Sequence, residues 1–356
     1  MELPGHKEKS HGSVSARVII WIKLQWMRLQ QKSKIYSRMQ WMFMLTISFI
    51  ILLYIHLLYV YGTLSPPAVW YYTTPYHGLT SSDYPPNGWK PPFRVVVSLT
   101  TTPNRLTKVG NAIESLLTQS IHADAIYLSI PTGPMKRHPE RSYDEVGIPI
   151  DLLDEKNITV LRSLDYGPAT KLIPALQHEM DPTTLVITVD DDFIYPHRLL
   201  EALAWEAYHN PEEAIGVCGW GTMPVLGHIG FVPVYVPYVM RPLGRYVDIL
   251  QACCGNAYRR KFFKDLSLLA DMPPICITVD DVWIAGYLAI QSEVKRAIIS
   301  KRLDPDDPEW KVEESRSKEA SLLKLSGYND ANHVHAKCVA ALEEKLDHVW
   351  TRVRNY

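Results

Sequence analysis

The chain has 356 residues, 47% hydrophobic and 21% charged, enough to bury one substantial domain of roughly 250 residues with extra segments rather than two full domains. A formal net charge of -1 gives no overall reason to expect a nucleic-acid partner. The five cysteines, Cys218, Cys253, Cys254, Cys276 and Cys338, contain no C-x-x-C spacing, which argues against a zinc ribbon or a thioredoxin-like site. In an oxidising compartment they could form at most two disulfides, and the sequence assigns no pairing.

The first segment, 1–40, is a basic tail carrying Lys7, Lys9, Arg17, Lys23, Arg28, Lys32, Lys34 and Arg38 against Glu2 and Glu8. Residues 41–61, WMFMLTISFIILLYIHLLYVY, carry no formal charge. Such a run, at about 1.5 Å per residue, crosses a hydrocarbon core of roughly 30 Å. Trp41 at one end and Tyr59 and Tyr61 at the other suit the two interfaces. The run lies too far from the start, and is too long, for a cleaved signal peptide. No basic residue follows it until Lys90, so the positive-inside rule places the tail in the cytosol and the bulk of the chain across the membrane. The stretch VSARVIIWIKLQWMRLQ before the span reads either as a helix lying on the membrane or as a flexible tail. Residues 62–92, rich in Pro, Tyr, Thr, Ser and Gly, read as a stem.

From Phe93 the pattern alternates. FRVVVSL is a short β-branched strand, followed by apolar residues at helical spacing at Leu106, Val109, Ile113, Leu116 and Leu117. AIYLSI and NITVLR are further strands, ATKLIPALQHEM a helix, and TLVITV a strand covered on both faces. RLLEALAWEAYH is another helix and AIGVCGW another strand. The alternation predicts an α/β domain over 93–300 with a largely parallel sheet and helices on both faces. The remainder, 301–356, reads as a C-terminal helical extension that completes the site, with Val339, Leu342, Leu346, Val349 and Val353 on one apolar face. The Pro-rich, aromatic loop from Gly219 to Asp248 either lines a cleft or covers the sheet. Asn157-Ile158-Thr159 is the one N-x-[ST] sequon, so Asn157 is a candidate glycosylation site.

The candidate chemistry lies in acids that follow apolar runs. TLVITVDDDFIYP delivers Asp190, Asp191 and Asp192 to the C-terminal end of a strand, where open α/β sheets bind ligands. Adjacent carboxylates repel one another, and alternation along an extended chain aims Asp190 and Asp192 at one hard divalent cation. ITVDDVWIAGYLA repeats the plan as an apolar strand ending in Asp280 and Asp281; the alternative is that these acids cap the following helix. QACCGNAYRRKFF reads as a turn at Gly255 entering a helix, with Arg259 and Arg260 either functional or on an exposed turn. In NDANHVHAKC, His333 and His335 stand two apart and could reach the site from an extended chain.

With these pieces in this order, the region Phe93 to Ile290 resembles the GT-A superfamily of nucleotide-sugar glycosyltransferases. The resemblance implies that Asp190 and Asp192 hold Mn2+ or Mg2+ against the donor diphosphate, with His335 completing the metal shell. VVVSLTTTPNRL is similar to the first strand and nucleotide loop, which makes Thr100, Thr101 and Arg105 donor contacts, joined by Lys171 and by Asp190 and Asp191. QACCGNAYRRKFF resembles an acceptor-side segment, implying acceptor contacts at Gly255 and Asn256. ITVDDVW resembles the acidic motif of inverting transferases such as fringe, in which Asp281, beside Asp280, would act as general base while Trp283 stacks on the acceptor sugar. The expected protein is therefore a type II enzyme of the Golgi or endoplasmic reticulum membrane with a lumenal catalytic domain. It would transfer sugar from a nucleotide donor, a UDP-sugar first among the candidates, to a glycan or glycoconjugate hydroxyl. A retaining enzyme of the same fold, a catalytically silent sugar-binding or scaffold subunit, and a nucleotidyltransferase are the alternatives.

Overall fold

The computed structural model describes residues 12–60, 85–136, 140–144, 158–225, 228–233, 245–299, 311–312 and 331–346. The chain divides into two compact units, Met1–Tyr59 and Val60–Tyr356.

The first unit is one helix, α1 (Gly12–Val60), of 49 residues, which at about 1.5 Å per residue is roughly 74 Å long. Its stretch Val18–Tyr54 is long and apolar enough to cross a membrane, the one such helix among the described residues. The basic stretch before the expected span belongs to the same helix. Within the apolar part Thr46 returns its hydroxyl to the Met42 carbonyl at 2.9 Å, so the side chain needs no solvent partner.

The second unit is an α/β domain. Its strands and helices in chain order are β1 (Val95–Thr100), α2 (Gly110–Leu117), β2 (Ala125–Pro131), β3 (Ile158–Ser163), α3 (Ile173–His178), β4 (Leu185–Thr188), β5 (Phe193–Ile194), α4 (Leu199–His209), β6 (Glu213–Gly216) and β7 (Gly219–Val225). Then follow β8 (His228–Pro233), β9 (Arg245–Val247), β10 (Ile249–Leu250), β11 (Asn256–Arg259), α5 (Leu266–Ala270), α6 (Asp280–Gln291), β12 (Lys295–Ile298), β13 (Lys311–Val312) and α7 (Ala331–Leu346). Eight strands form one mixed sheet in the order β3-β2-β1-β4-β11-β6-β12-β9. The β3-β2-β1-β4 block is parallel, and β11 enters antiparallel between β4 and β6.

Alternation along β1 explains why the sheet needs helices on both faces. Val95, Val97 and Leu99 enter one core, with residues of α2 and α4. Val96 enters the other, with residues of α3, α6 and α7. The strand β4 repeats the division, with Leu185 and Ile187 on the first face and Val186 on the second. The helices α6 and α7 approach closely at Gly286, where an added Cβ would lie 2.1 Å from Leu342 Cδ1.

Several expected elements differ. AIGVCGW is two strands: β6 lies in the main sheet, and β7 pairs with β8 and β10 in a separate three-stranded sheet. The loop expected from Gly219 to Asp248 therefore contains a hairpin, while 234–244 lie outside the described residues. The residues before Asp280 form a 3-10 turn, Pro274–Thr278, rather than a strand, because the paired prolines Pro273 and Pro274 disfavour a sheet ladder. Gly255, at φ 104°, opens into strand β11 and not into a helix. Ala257 there pairs with Ile187 of β4, so sheet hydrogen bonding wins over local turn-and-helix patterning. The linker 61–84 and the end of the chain, with Val349 and Val353, lie outside the described residues, as does Asn157.

Cys276 and Cys338 form a disulfide across 62 residues of sequence, joining the turn before α6 to α7. By loop-closure entropy a bridge of this span contributes about 4 kcal/mol. Cys338→Ser should lower the denaturant midpoint accordingly, by about 2–5 kcal/mol in stability. Urea unfolding of the unreduced protein checks this, and the same measurement after reduction should bring wild type down to the variant.

Candidate active site

Strand β4 ends at Thr188, and one further pairing bond, Val189 N–H to the Ser98 carbonyl at 3.1 Å, carries the chain to Asp190. There it turns. The Asp190 N–H donates to the Tyr195 hydroxyl at 2.7 Å, and that hydroxyl lies 3.1 Å from both the Asp190 and the Cys253 carbonyls. The clamp holds the Asp190 backbone and residues 191 and 192 form a turn, so the expected alternation does not set their directions. The Asp190 carboxylate meets Lys171 Nζ at 2.6 Å. Asp191 and Asp192 converge on Arg105, the latter at 3.1 Å, and the Thr101 hydroxyl donates to Asp191.

Lys171 is buried in the turn that precedes α3, and its Nζ also lies 3.8 Å from Asp280 Oδ2. One ammonium thus joins the acids after β4 to the acids that open α6. Burial works against its charge, but the fields of Asp190 and then Asp280 more than compensate and raise its pKa. Burial pushes Asp191 up to about 7 against the pull of Arg105 and Thr101. Asp281 is pushed up to about 8, first by burial and then by Asp280 beside it.

These groups line a single cavity of about 230 Å³. Thr100, Thr101, Arg105, Lys171, Asp190, Asp191, Asp192, Asp280, Asp281 and His335 all reach it, so most of the expected site is brought together. The Thr100 hydroxyl donates to the Ser129 carbonyl at 2.8 Å, within the sheet. His335 is buried on helix α7, not on an extended segment, with its ring 4.9 Å from that of Trp220. The side chain of His333 lies outside the described residues.

Three expected acceptor contacts lie elsewhere. Trp283 is fully buried and its indole N–H donates to the Leu269 carbonyl at 2.9 Å, so it packs the core and presents no face to a sugar. Gly255 backs onto Leu199 of α4, where an added Cβ would lie 3.3 Å from Cδ1. Asn256 is buried on β11, with its side-chain amide suited to the Gly255 and Gln251 carbonyls. Neither lines the cavity. Arg259 is also buried and donates to the Thr183 and Ala207 carbonyls, so it belongs to the fold. In their place the cavity takes Tyr143, Trp220, Gln251 and Cys253, which sequence reasoning missed. Gln251 and Cys253 stood in the segment singled out, a few residues before the ones chosen. Trp220 opened the aromatic loop named as a possible cleft lining, though not by residue, and Tyr143 had no local pattern to mark it.

Five carboxylates share this cavity with the cations Arg105 and Lys171. Carboxylate oxygens are the donor type that magnesium and manganese take, and here they are ion-paired with Arg105 and Lys171. Compared with known protein families the chain matches none, and no curated protein matches its sequence. The fold is α/β, built on a mostly parallel mixed sheet, and the site is an acid-rich cavity at the end of its central parallel strands.

Removing the ammonium while leaving Asp280 buried and Asp190 half-buried should be costly. Lys171→Met is expected to destabilise the protein by about 3–5 kcal/mol, read from urea unfolding in chelator. Adding Asp280→Asn to that variant should recover part of the loss; a purely additive double variant would show that the two groups do not interact.

Proposed function

We propose that the protein is a metal-dependent glycosyltransferase that moves a sugar from a nucleotide-sugar donor to a hydroxyl of a glycan or glycoconjugate. The observation that carries this reading is the meeting of two acid groups, Asp190–Asp192 after β4 and Asp280–Asp281 at the start of α6, on one cavity. Asp190 and Asp192, with His335 from α7, would hold Mn2+ or Mg2+; when bound, that cation would stabilise the negative charge of a leaving diphosphate. Arg105 and Lys171 supply positive charge beside the acids, suited to phosphate oxygens. Asp281 is the candidate base: a sugar hydroxyl is a weak nucleophile, and a carboxylate within hydrogen-bond reach takes its proton as it attacks the anomeric carbon. Trp220, on the cavity wall, replaces Trp283 as the candidate ring for stacking on the acceptor.

The setting of this reading is a type II protein of the Golgi or endoplasmic reticulum membrane, with the catalytic unit in the lumen. The apolar helix α1, the basic tail before it with no Lys or Arg after it until Lys90, and the Cys276–Cys338 disulfide support it.

A panel of nucleotide sugars with manganese tests the reading directly. Turnover of at least one donor is expected, abolished by chelator and by Asp192→Ala; donor turnover that ignores both would remove the metal site. Asp281→Asn should lower kcat/KM by at least about 100-fold. Since Asp281 is pushed up to about 8, it accepts a proton only when ionised, and activity should decline as pH falls below that value. A bound cation would move this limb to lower pH, and Asp281→Asn should erase it. Inversion at the anomeric carbon of the first-formed product is expected; a retained anomer would overturn the assignment of Asp281 as base.

A further inference from the structure

Sheet pairing gathers a second cluster of ligand-forming side chains beside the cavity. The register Leu250↔Gly219 between β10 and β7 sets Cys218 against the turn Ala252–Cys254, and the Gln251 N–H donates to the Cys218 carbonyl at 2.9 Å. The sulfurs of Cys218, Cys253 and Cys254 consequently lie within 4.8 Å of one another, with the Cys253 and Cys254 sulfurs 3.3 Å apart. Cys254 is buried and the other two are partly buried. We propose that Cys218, Cys253 and Cys254 form a thiolate site for a soft divalent metal ion, zinc by preference, distinct from the oxygen-lined cation site of the aspartates.

The spacing suits this ion. Three sulfurs at about 2.3 Å from tetrahedral zinc stand about 3.8 Å apart, inside the range the cluster already occupies. The donor set is soft, which favours zinc over the magnesium and manganese that the carboxylates suit. A disulfide between the two neighbouring cysteines accounts for the arrangement less well. Adjacent Cα atoms stand about 3.8 Å apart, short of the roughly 4.4–6.8 Å that disulfides span, so Cys253 and Cys254 are poor partners for each other. Hydrogen bonding to Cys253, together with burial, holds the Cys218 thiol well above its usual range; hydrogen bonds to Cys218 and Cys253 do the same for Cys254. Protonated thiols exchange slowly with disulfides, whereas a bound cation would ionise them. On binding, each thiol would give up its proton to solvent as its sulfur becomes a ligand.

The site would serve positioning. It would lock the turn between β6 and β7 to the turn Ala252–Cys254. The Cys253 carbonyl lies 3.1 Å from the Tyr195 hydroxyl, which in turn holds the Asp190 backbone. Metal at the thiols would thereby stiffen the wall from which the acids project.

The test uses the full-length chain in detergent, stripped with chelator under reducing conditions and titrated with Co2+. One equivalent is expected to give a thiolate-to-cobalt charge-transfer band that Zn2+ displaces. Cys218→Ser and Cys254→Ser should each weaken binding by at least about 100-fold, while Asp190→Asn leaves the band in place. A readout on unaltered protein guards against misfolded variants: zinc should protect all three thiols from alkylation, followed by mass spectrometry. Absence of the band, a band indifferent to both cysteine variants, or one free thiol instead of three in the unreduced protein would overturn the proposal, the last in favour of a disulfide. None of these readouts depends on donor turnover.

Discussion

Lys171 carries a full charge in a position where burial alone would strip it, and it does so because Asp190 and Asp280 lie on either side. The buried ammonium depends on both acids, since a lone buried ammonium costs several kcal/mol. The three come from different parts of the chain: the turn before α3, the end of β4 and the first turn of α6. Their pairing fixes how the second acid group stands against the first. The remaining geometry of the cavity follows from that arrangement, with Arg105 gathering Asp191 and Asp192 on the other side.

Such a site needs a frame that cannot relax around it. The central strands supply one by alternation, placing Val95, Val97 and Leu99 in one core and Val96 in the other. The acids then emerge where β4 runs out of neighbours and the Tyr195 hydroxyl takes over the backbone of Asp190. On the second face α6 and α7 pack through Gly286 and Leu342, and the disulfide holds the start of that pair together. That packing brings His335 to the cavity from far along the chain.

Charge sets what the cavity can do. Five carboxylates face Arg105 and Lys171 in the cavity, and each of those two cations is ion-paired with them. The cysteine cluster nearby has the opposite chemical character, with soft sulfur donors in place of carboxylate oxygens. The two proposed metal preferences differ because the ligands differ in hardness.

Much of this was legible locally. An apolar run without charge is long enough to span a membrane whatever surrounds it, and β-branched runs alternating with helical periods specify a parallel α/β sheet. Acids after apolar runs marked Asp190–Asp192, at the end of a buried strand, and Asp280 and Asp281, which follow a 3-10 turn instead. Side-chain direction beyond the strand was not legible: the Tyr195 clamp breaks the alternation expected of Asp190 and Asp192. Trp283 shows the same limit, since an aromatic residue next to a catalytic-looking acid reads alike whether it faces a ligand or, as here, the Leu269 carbonyl. The sequence by itself determined the apolar segment, the fold class and the residues able to ionise. Only tertiary structure decided which of them meet, because strand register and helix packing bring together groups such as Lys171 and Asp280, or Cys218 and Cys253, that no local pattern relates.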